Sequence, residues 1–290
     1  RERAVPARPV AGSQHTPRVI VVHGAKGGVG ATTVAANLAA ALRRTTGRRV
    51  AAIDGDVLNG GSGVLFDMTA PRSIYDLLPH AGELDPDLVD GYLVEHSSGV
   101  RVLFAPEDWT QAEAVGRDDV RRVIAGLKPY FDYQVVDTAS HMTAATHAAL
   151  DSADAIVLVV TPEIAALRNA SRFLQQALQA GYPTDHVALV ANRANAGNDI
   201  TPAVIEQYLG RPIRAALPSE GKALVECLNQ GQLVVTSRPD TAVAKGLIQL
   251  ATSLATELGW TPAAPAALHK AERAPHRFGL PRLTLRRAAA

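Results

Sequence analysis

The chain has 290 residues, 47% of them hydrophobic and 20% charged, with a formal net charge of +1 and one cysteine. This length and apolar content can bury a sizeable core and fit one large α/β domain better than two small ones. The lone Cys227 excludes an internal disulfide and any cysteine-built cluster, and no apolar run reaches the roughly 18 residues of a membrane span, so the sequence reads as cytoplasmic.

Residues 1–17 carry Arg1, Arg3 and Arg8 against Glu2, with Pro6, Pro9 and Pro17, the composition of a disordered linker. Because the chain starts without Met, the expectation is that this linker follows a removed N-terminal domain. The apolar run Val19 to Val22 has the length and β-branching of a buried parallel strand, and the Ala-rich run from Thr32 to Leu42 predicts a helix. Between them stands Gly24-Ala25-Lys26-Gly27-Gly28-Val29-Gly30-Ala31-Thr32-Thr33. Glycines let successive backbone N–H groups turn inward, and the helix N-terminus adds about half a positive charge, so the loop favours a polyphosphate.

The ordinary phosphate loop, G-x-x-x-x-G-K-[ST], is not met: Ala25 stands at the first glycine's place and Ala31 at the lysine's. A dinucleotide fingerprint needs G-x-G-x-x-G, which these glycines do not supply in register, although Asp54 at the end of the next strand would suit a ribose. A plain glycine turn gives no reason for a lysine followed by two glycines.

Further along, Arg48 to Asp56 predicts a short strand ending in Asp54 and Asp56, which period two would place on one side. Asn59 to Gly63 reads as a mobile loop. Short helices are expected from Ser73 and from Asp85-Pro86 to about Tyr92, then strands over Tyr92 to Glu95 and Val100 to Phe104, and an amphipathic helix from Asp118 to Leu127. His80 and His96 read as isolated surface residues, and His141 and His147, six apart, share no helix face that would make a metal pair. Phe131 to Thr138 predicts a strand that delivers Asp137 at its carboxyl end. Strands are expected over Ala155 to Val160, Val187 to Ala191 and Ile213 to Leu217, and helices over Glu163 to Ala180, to Leu209, from Glu220 to Asn229 and from Thr241 to Leu258. Cys227 falls at an apolar position of a predicted helix and reads as core.

Strand and helix thus alternate from Arg18 to Leu258, which predicts an α/β fold: a mostly parallel central sheet with helices on both faces, and all candidate chemistry at strand carboxyl ends. The expected organisation is a linker over 1–17, a nucleotide-binding domain over 18–260 and a flexible tail over 261–290. In that tail six basic residues face Glu272, a net +5, and the N-terminal segment adds +2, which leaves about −6 for the body. No nucleic acid is expected on such a body, and the prolines of the tail break any long membrane-lying helix, so it reads as a solvated segment that could at most touch acidic lipid or a partner.

Lys26, Gly27, Gly28, Gly30, Thr32 and Thr33 match the deviant Walker A box K-G-G-x-G-K-[ST]-[ST], and the whole span resembles the ParA/MinD family of ATPases; Ala31 departs from the box. Within that group the order of GAKGGVGATT, Ser73-Ile-Tyr-Asp-Leu-Leu, Val102-Leu-Phe-Ala-Pro, Phe131 to Thr138, Leu158-Val-Val-Thr-Pro-Glu-Ile and Val190-Ala-Asn-Arg-Ala is most similar to the CpaE/TadZ-type proteins of Flp/Tad pilus assembly. The resemblance implies ATP and Mg²⁺ as cofactors. ATP would lie on Gly27, Gly28, Val29, Gly30, Ala31, Thr32 and Thr33, with Thr32, Asp54 and Asp137 serving the metal. Asp56 would orient an attacking water, Asn192 would read the adenine edge beside Arg193, and Pro218 would flank the base. It further implies a homodimer facing across the nucleotide, with Lys26 reaching the partner's phosphates, and pilus or secretion assembly proteins at the cell pole as partners.

Ala31 bears on the chemistry. Loss of one charge-assisted contact costs about 1.5 to 3 kcal/mol of binding, whereas loss of a donor aimed at transition-state charge costs roughly 2.7 to 4 kcal/mol, so hydrolysis is expected to be weak or absent while binding survives. Two alternatives stand beside this reading: a nucleotide-free scaffold of the same fold, and a MinD/ParA-type positioning ATPase for another cargo.

Overall fold

The computed structural model describes residues 16–260, without Ala70, Pro183, Ala196 and Asn198 and without the side chains of Lys222, Ala223 and Leu228. The tail from Thr261 and nearly all of the expected linker lie outside the described residues. Eight strands form one sheet: β1 (Arg18–Gly24), β2 (Val50–Asp54), β3 (Val94–Glu95), β4 (Arg101–Leu103), β5 (Tyr133–Thr138), β6 (Ala155–Val160), β7 (Val187–Asn192) and β8 (Ile213–Leu217). Their order is β3-β4-β2-β5-β1-β6-β7-β8, and every neighbouring pair is parallel except β3 with β4.

The connections carry helices α1 (Ala31–Thr46), α2 (Ser62–Phe66), α3 (Ile74–Leu77), α4 (Pro86–Tyr92), α5 (Trp109–Ala114) and α6 (Arg117–Leu127). They continue with α7 (Ala144–Ser152), α8 (Ile164–Gln179), α9 (Pro202–Leu209), α10 (Gly221–Asn229), α11 (Val234–Ser237) and α12 (Ala242–Glu257). Alternate residues of β1 feed two cores: Ile20 and Val22 pack with α1 and α12, while Val19 and Val21 pack with α6, α7 and α8. A strand buried on both faces cannot alternate apolar with polar, which is why Val19 to Val22 reads as a continuous apolar run.

The predicted parallel sheet with helices on both faces is therefore observed. At finer grain the structure differs in places. Tyr92 closes α4, and only Val94–Glu95 pairs with β4, antiparallel at the sheet edge. The segment expected as a mobile loop instead starts α2 at Ser62, because the Ser62 N–H donates to Asp54 Oδ2 at 3.0 Å and fixes the helix start. His96 is half-buried, its ring edge-on to Phe66 with centroids 5.2 Å apart. Cys227 is buried, as expected from its place in the pattern.

The last described residue closes the lower end of the sheet. Trp260 is 3% exposed, its ring centroid lies 5.6 Å from that of Tyr133, and the Arg48 guanidinium sits 3.7 Å over it. Trp260→Ala should cost about 3 to 5 kcal/mol and lower the thermal midpoint by roughly 10 °C, read by circular dichroism melting.

Candidate functional site

Five strand ends, those of β1, β2, β5, β6 and β7, converge on the carboxyl edge of the sheet, where open α/β sheets bind ligands. The β1–α1 loop is anchored at its start by the Ala25 N–H, which donates to Val159 O at 2.9 Å. Gly28 and Gly30 take φ of +80° and +89°, which a side chain would strain, and Gly27 and Gly28 stand open to solvent. Helix α1 then begins with no side-chain cap and no acid in its first turn. Its first backbone N–H groups are left pointing at the loop, an arrangement that suits an anion. Val29 is buried beneath the loop, and Ala31, Thr32 and Thr33 are half-buried at the helix start, with Ala31 packed against the α1 core.

Across from this cradle lies a buried acid pair. Asp54 and Asp137 are register partners on β2 and β5 and are 1% and 3% exposed. Asp54 Oδ1 and both oxygens of Asp137 have no hydrogen-bond partner. Burial first pushes both carboxyls above the usual range, Asp137 far above it; the charge of Asp56 adds to the rise at Asp54, and those of Asp54 and then Asp56 add to it at Asp137. The Ser62 amide opposes the rise at Asp54; the Thr32 hydroxyl opposes it at Asp137 without reaching hydrogen-bond geometry. The approach of the two strands continues past Asp54, since the Gly55 N–H donates to Asp137 O at 2.8 Å and a Cβ on Gly55 would stand 2.6 Å from that oxygen.

Orphaned oxygens on two buried acids fit a hard cation. Among the described residues no group of three or more His, Cys, Asp or Glu side chains forms a metal site by itself. Asp54, Asp137 and Thr32 would therefore hold Mg²⁺ in company with phosphate oxygens, the usual way this ion is bound.

The period-two expectation for Asp56 fails, because β2 stops at Asp54. Asp56 is half-buried in the following turn, where Asn59 Nδ2 donates to its Oδ1 at 3.1 Å, yet its charge still acts on both buried acids. Lys26 is not free: its Nζ lies 2.9 Å from Glu163 Oε2, just past β6. Asn192 is buried at the end of β7 against the phosphate loop, and Arg193 follows it, exposed and at φ +55°. Pro218 is half-buried just past β8, on a loop tied back to β7 by Ala194 N–H to Leu217 O at 2.9 Å.

Three neighbours of the site escape the sequence reading. Glu163 holds Lys26, and Ser140 Oγ lies 3.9 Å from where a Gly27 Cβ would be. His23, 3% exposed just before the loop, stacks on Phe173 at 4.6 Å and places Nδ1 3.1 Å from Thr138 Oγ1. Since the Thr138 hydroxyl donates to Val22 O, Nδ1 carries the proton of that contact. Burial lowers the His23 pKa to about 4. A histidine inside an apolar strand is the one sequence signal that could have drawn attention to it.

An α/β sheet with a glycine-rich loop capping its first strand and a buried acid pair beside it defines a P-loop nucleoside triphosphatase fold. The family model described as an AAA domain matches residues 17–181, more than half of the chain, and the chain belongs to that family, within the ParA/MinD ATPases. It is 29% identical over 241 residues to an uncharacterized ATP-binding protein of Methanocaldococcus jannaschii, covering 82% of this chain and 88% of the relative. Among solved structures it matches a ParA family ATPase from Chlorobium tepidum, with a TM-score of 0.75 and 26% identity over 81% of this chain and 98% of that one. It also matches the septum site-determining protein MinD of Pyrococcus horikoshii complexed with Mg-ADP, with a TM-score of 0.74 and 26% identity over 84% of this chain and 98% of that one.

Two titrations of opposite sign follow. The raised carboxyls favour the fold below the ordinary carboxylate range, and that contribution is lost as pH rises through their folded values. Asp137→Asn should then raise the melting temperature of the metal-free protein at pH 8 and abolish any further rise with millimolar Mg²⁺. The lowered His23 pKa contributes stability that is complete above about pH 6.5 and is lost as pH falls toward about 4, worth roughly 3 kcal/mol. His23→Phe should flatten that acid limb in denaturant melts taken between pH 4 and 7.

Proposed function

We propose that this chain binds ATP with Mg²⁺ and uses the nucleotide to close a homodimer that localises components of a Flp/Tad-type pilus or secretion system, with weak or no hydrolysis. One observation carries the nucleotide reading: an uncapped helix N-terminus and glycine loop stand beside two buried carboxylates, three of whose four oxygens have no partner. Each half lacks what the other half's ligand would bring. A triphosphate satisfies the amides and supplies the oxygens that a cation on Asp54 and Asp137 requires, and bound Mg²⁺ would supply charge neutralisation to the phosphates. A relative of known nucleotide state, MinD of Pyrococcus horikoshii with Mg-ADP, supports the same assignment.

Support for the dimer comes from the rim of this edge. Leu58, Met142 and Ile164, in the connections after β2, β5 and β6, are 45%, 41% and 78% exposed. Exposed apolar side chains in three connections at the same sheet edge suit a self-complementary seam with a second copy. Lys26 belongs to the same rim, and both it and Glu163 are partly exposed, so its ion pair is worth at most about 1 kcal/mol and can be exchanged for a triphosphate. The pilus assignment rests on the ordered resemblance of the motifs from Gly24 to Ala194. Ala31 favours the second reading, a nucleotide-free scaffold, because the position of the usual phosphate lysine holds a methyl group packed against the core.

Sedimentation with and without ATP-Mg²⁺ separates the two. The wild-type chain should shift toward dimer with nucleotide, and Lys26→Ala should bind ATP within a few fold of wild type while failing to shift. No heat and no thermal shift at millimolar ATP-Mg²⁺ would make the scaffold the better reading. Ala31→Lys should raise ATP turnover on the order of a hundredfold, measured by phosphate release, if the absent donor limits the chemistry.

A further inference from the structure

We infer that Asn192 is the positioning residue of the phosphate loop, an anchor that holds the amides of residues 28–33 in their binding arrangement, a role distinct from reading the base. This rests on the nucleotide-binding reading. Asn192 Nδ2 donates to the Val29 carbonyl at 2.8 Å, and Asn192 Oδ1 accepts from the Arg193 N–H at 3.0 Å. The Arg193 N–H can pair only with the oxygen of that amide, so this contact fixes which end of the Asn192 side chain faces the loop.

The loop needs such an anchor. Val29 is 1% exposed and is flanked by Gly28 and Gly30, both at positive φ, so its carbonyl is held between two hinges that have no side chain to restrict them. Asn192 also occupies the space beneath the hinge, since a Cβ on Gly30 would stand 2.5 Å from its Nδ2. Without the amide, the Val29 carbonyl would be buried and unpartnered, and the glycines would populate other conformers that a ligand must then reorder. With the two ends of its amide committed, Asn192 keeps only one N–H and spare lone pairs for anything else. The anchor reaches from β7, two strands away from β1, so loop geometry is set across the sheet.

The test separates positioning from base recognition by using a ligand with no base. Titration calorimetry on the full chain compares ATP, GTP and tripolyphosphate, each with Mg²⁺, for wild type and Asn192→Ala. Affinity for ATP and tripolyphosphate should fall by the same factor, roughly 10- to 100-fold, with the ATP to GTP ratio unchanged. Asn192→Asp keeps the shape and the acceptor but sets an oxygen against the Val29 carbonyl, and should lose at least as much. In the nucleotide-free variants, hydrogen exchange at the amides of residues 28–33 should quicken while the β7 amides stay protected, a pattern that general destabilisation would not produce. A fall confined to ATP, a lost preference between ATP and GTP, or unchanged exchange in the loop would overturn the inference. Wild type that binds none of the three ligands would sink the nucleotide reading, while the exchange measurement would still decide the role of Asn192.

Discussion

Two carboxylates buried side by side are the constraint from which the rest of this site follows. Asp54 and Asp137 are held opposite one another by the β2–β5 register, and the Gly55 N–H closes the strands over the Asp137 carbonyl. Bare, the pair is unfavourable: desolvation and like charge raise both pKa values, and three of the four side-chain oxygens find no donor. A fold keeps such a pair only where something else compensates, and the one satisfied oxygen shows how the protein itself responds. Asp54 Oδ2 draws in the Ser62 amide, which starts α2 and shapes the glycine segment before it against Thr32 and Ala105. In the proposed reading, metal affinity and the conformation of the β2–α2 connection would be tied to the same carboxylate, and a cation arriving at Asp54 would act on a segment at the rim of the cleft.

Ala31 changes the balance of the loop without emptying it. The cradle retains its glycines, its uncapped helix start, its main-chain contact with Val159 and the Asn192 side-chain amide on the Val29 carbonyl, none of which depends on a side chain at position 31. What is lost is a side-chain charge, and such charges matter most when phosphate charge grows during reaction. In the proposed reading, a site stripped of that charge but otherwise intact would suit a protein that reads the presence of a nucleotide more than one that consumes it. Turnover and occupancy are separable in this way because the amides are set by the fold, while the missing lysine would have been a single removable side chain.

Most of the architecture was legible in the sequence because it depends on period and punctuation. Continuous apolar runs from Val19, Ala155 and Val187 marked strands buried on both faces, and the placement of Lys26-Gly27-Gly28 between strand and helix marked the cradle. What could not be read depends on tertiary contact. The start of α2 needs Asp54, eight residues back, and local composition at Asn59 to Gly63 argues for a loop. Alternation from Asp54 to Asp56 requires a strand that runs to Asp56, whereas β2 stops at Asp54 and the Gly55 N–H turns to the Asp137 carbonyl. Glu163 lies far along the chain from Lys26, and no local pattern announces that they meet. A histidine in a strand has no single meaning until its surroundings are known, and those of His23, Phe173 and Thr138, come from distant parts of the chain.

The pairing of Lys26 with Glu163 gives the proposed dimer a resting state. A lysine left unpaired on the rim would face a like lysine when two copies approach, and in a seam that excludes water the repulsion would be felt at full strength. Glu163 neutralises it in the isolated chain, and the neighbouring Arg193 and the Thr161 hydroxyl help to keep Glu163 ionised, after Lys26 itself. The same pair is too exposed to hold the lysine against a competing triphosphate, whose charge exceeds that of one carboxylate. Release then leaves Glu163 beside Arg193 and the Thr161 hydroxyl, so the acid is not stranded when its partner departs. The exchange would cost little in either direction, as the proposed seam requires of a contact that opens and closes with nucleotide.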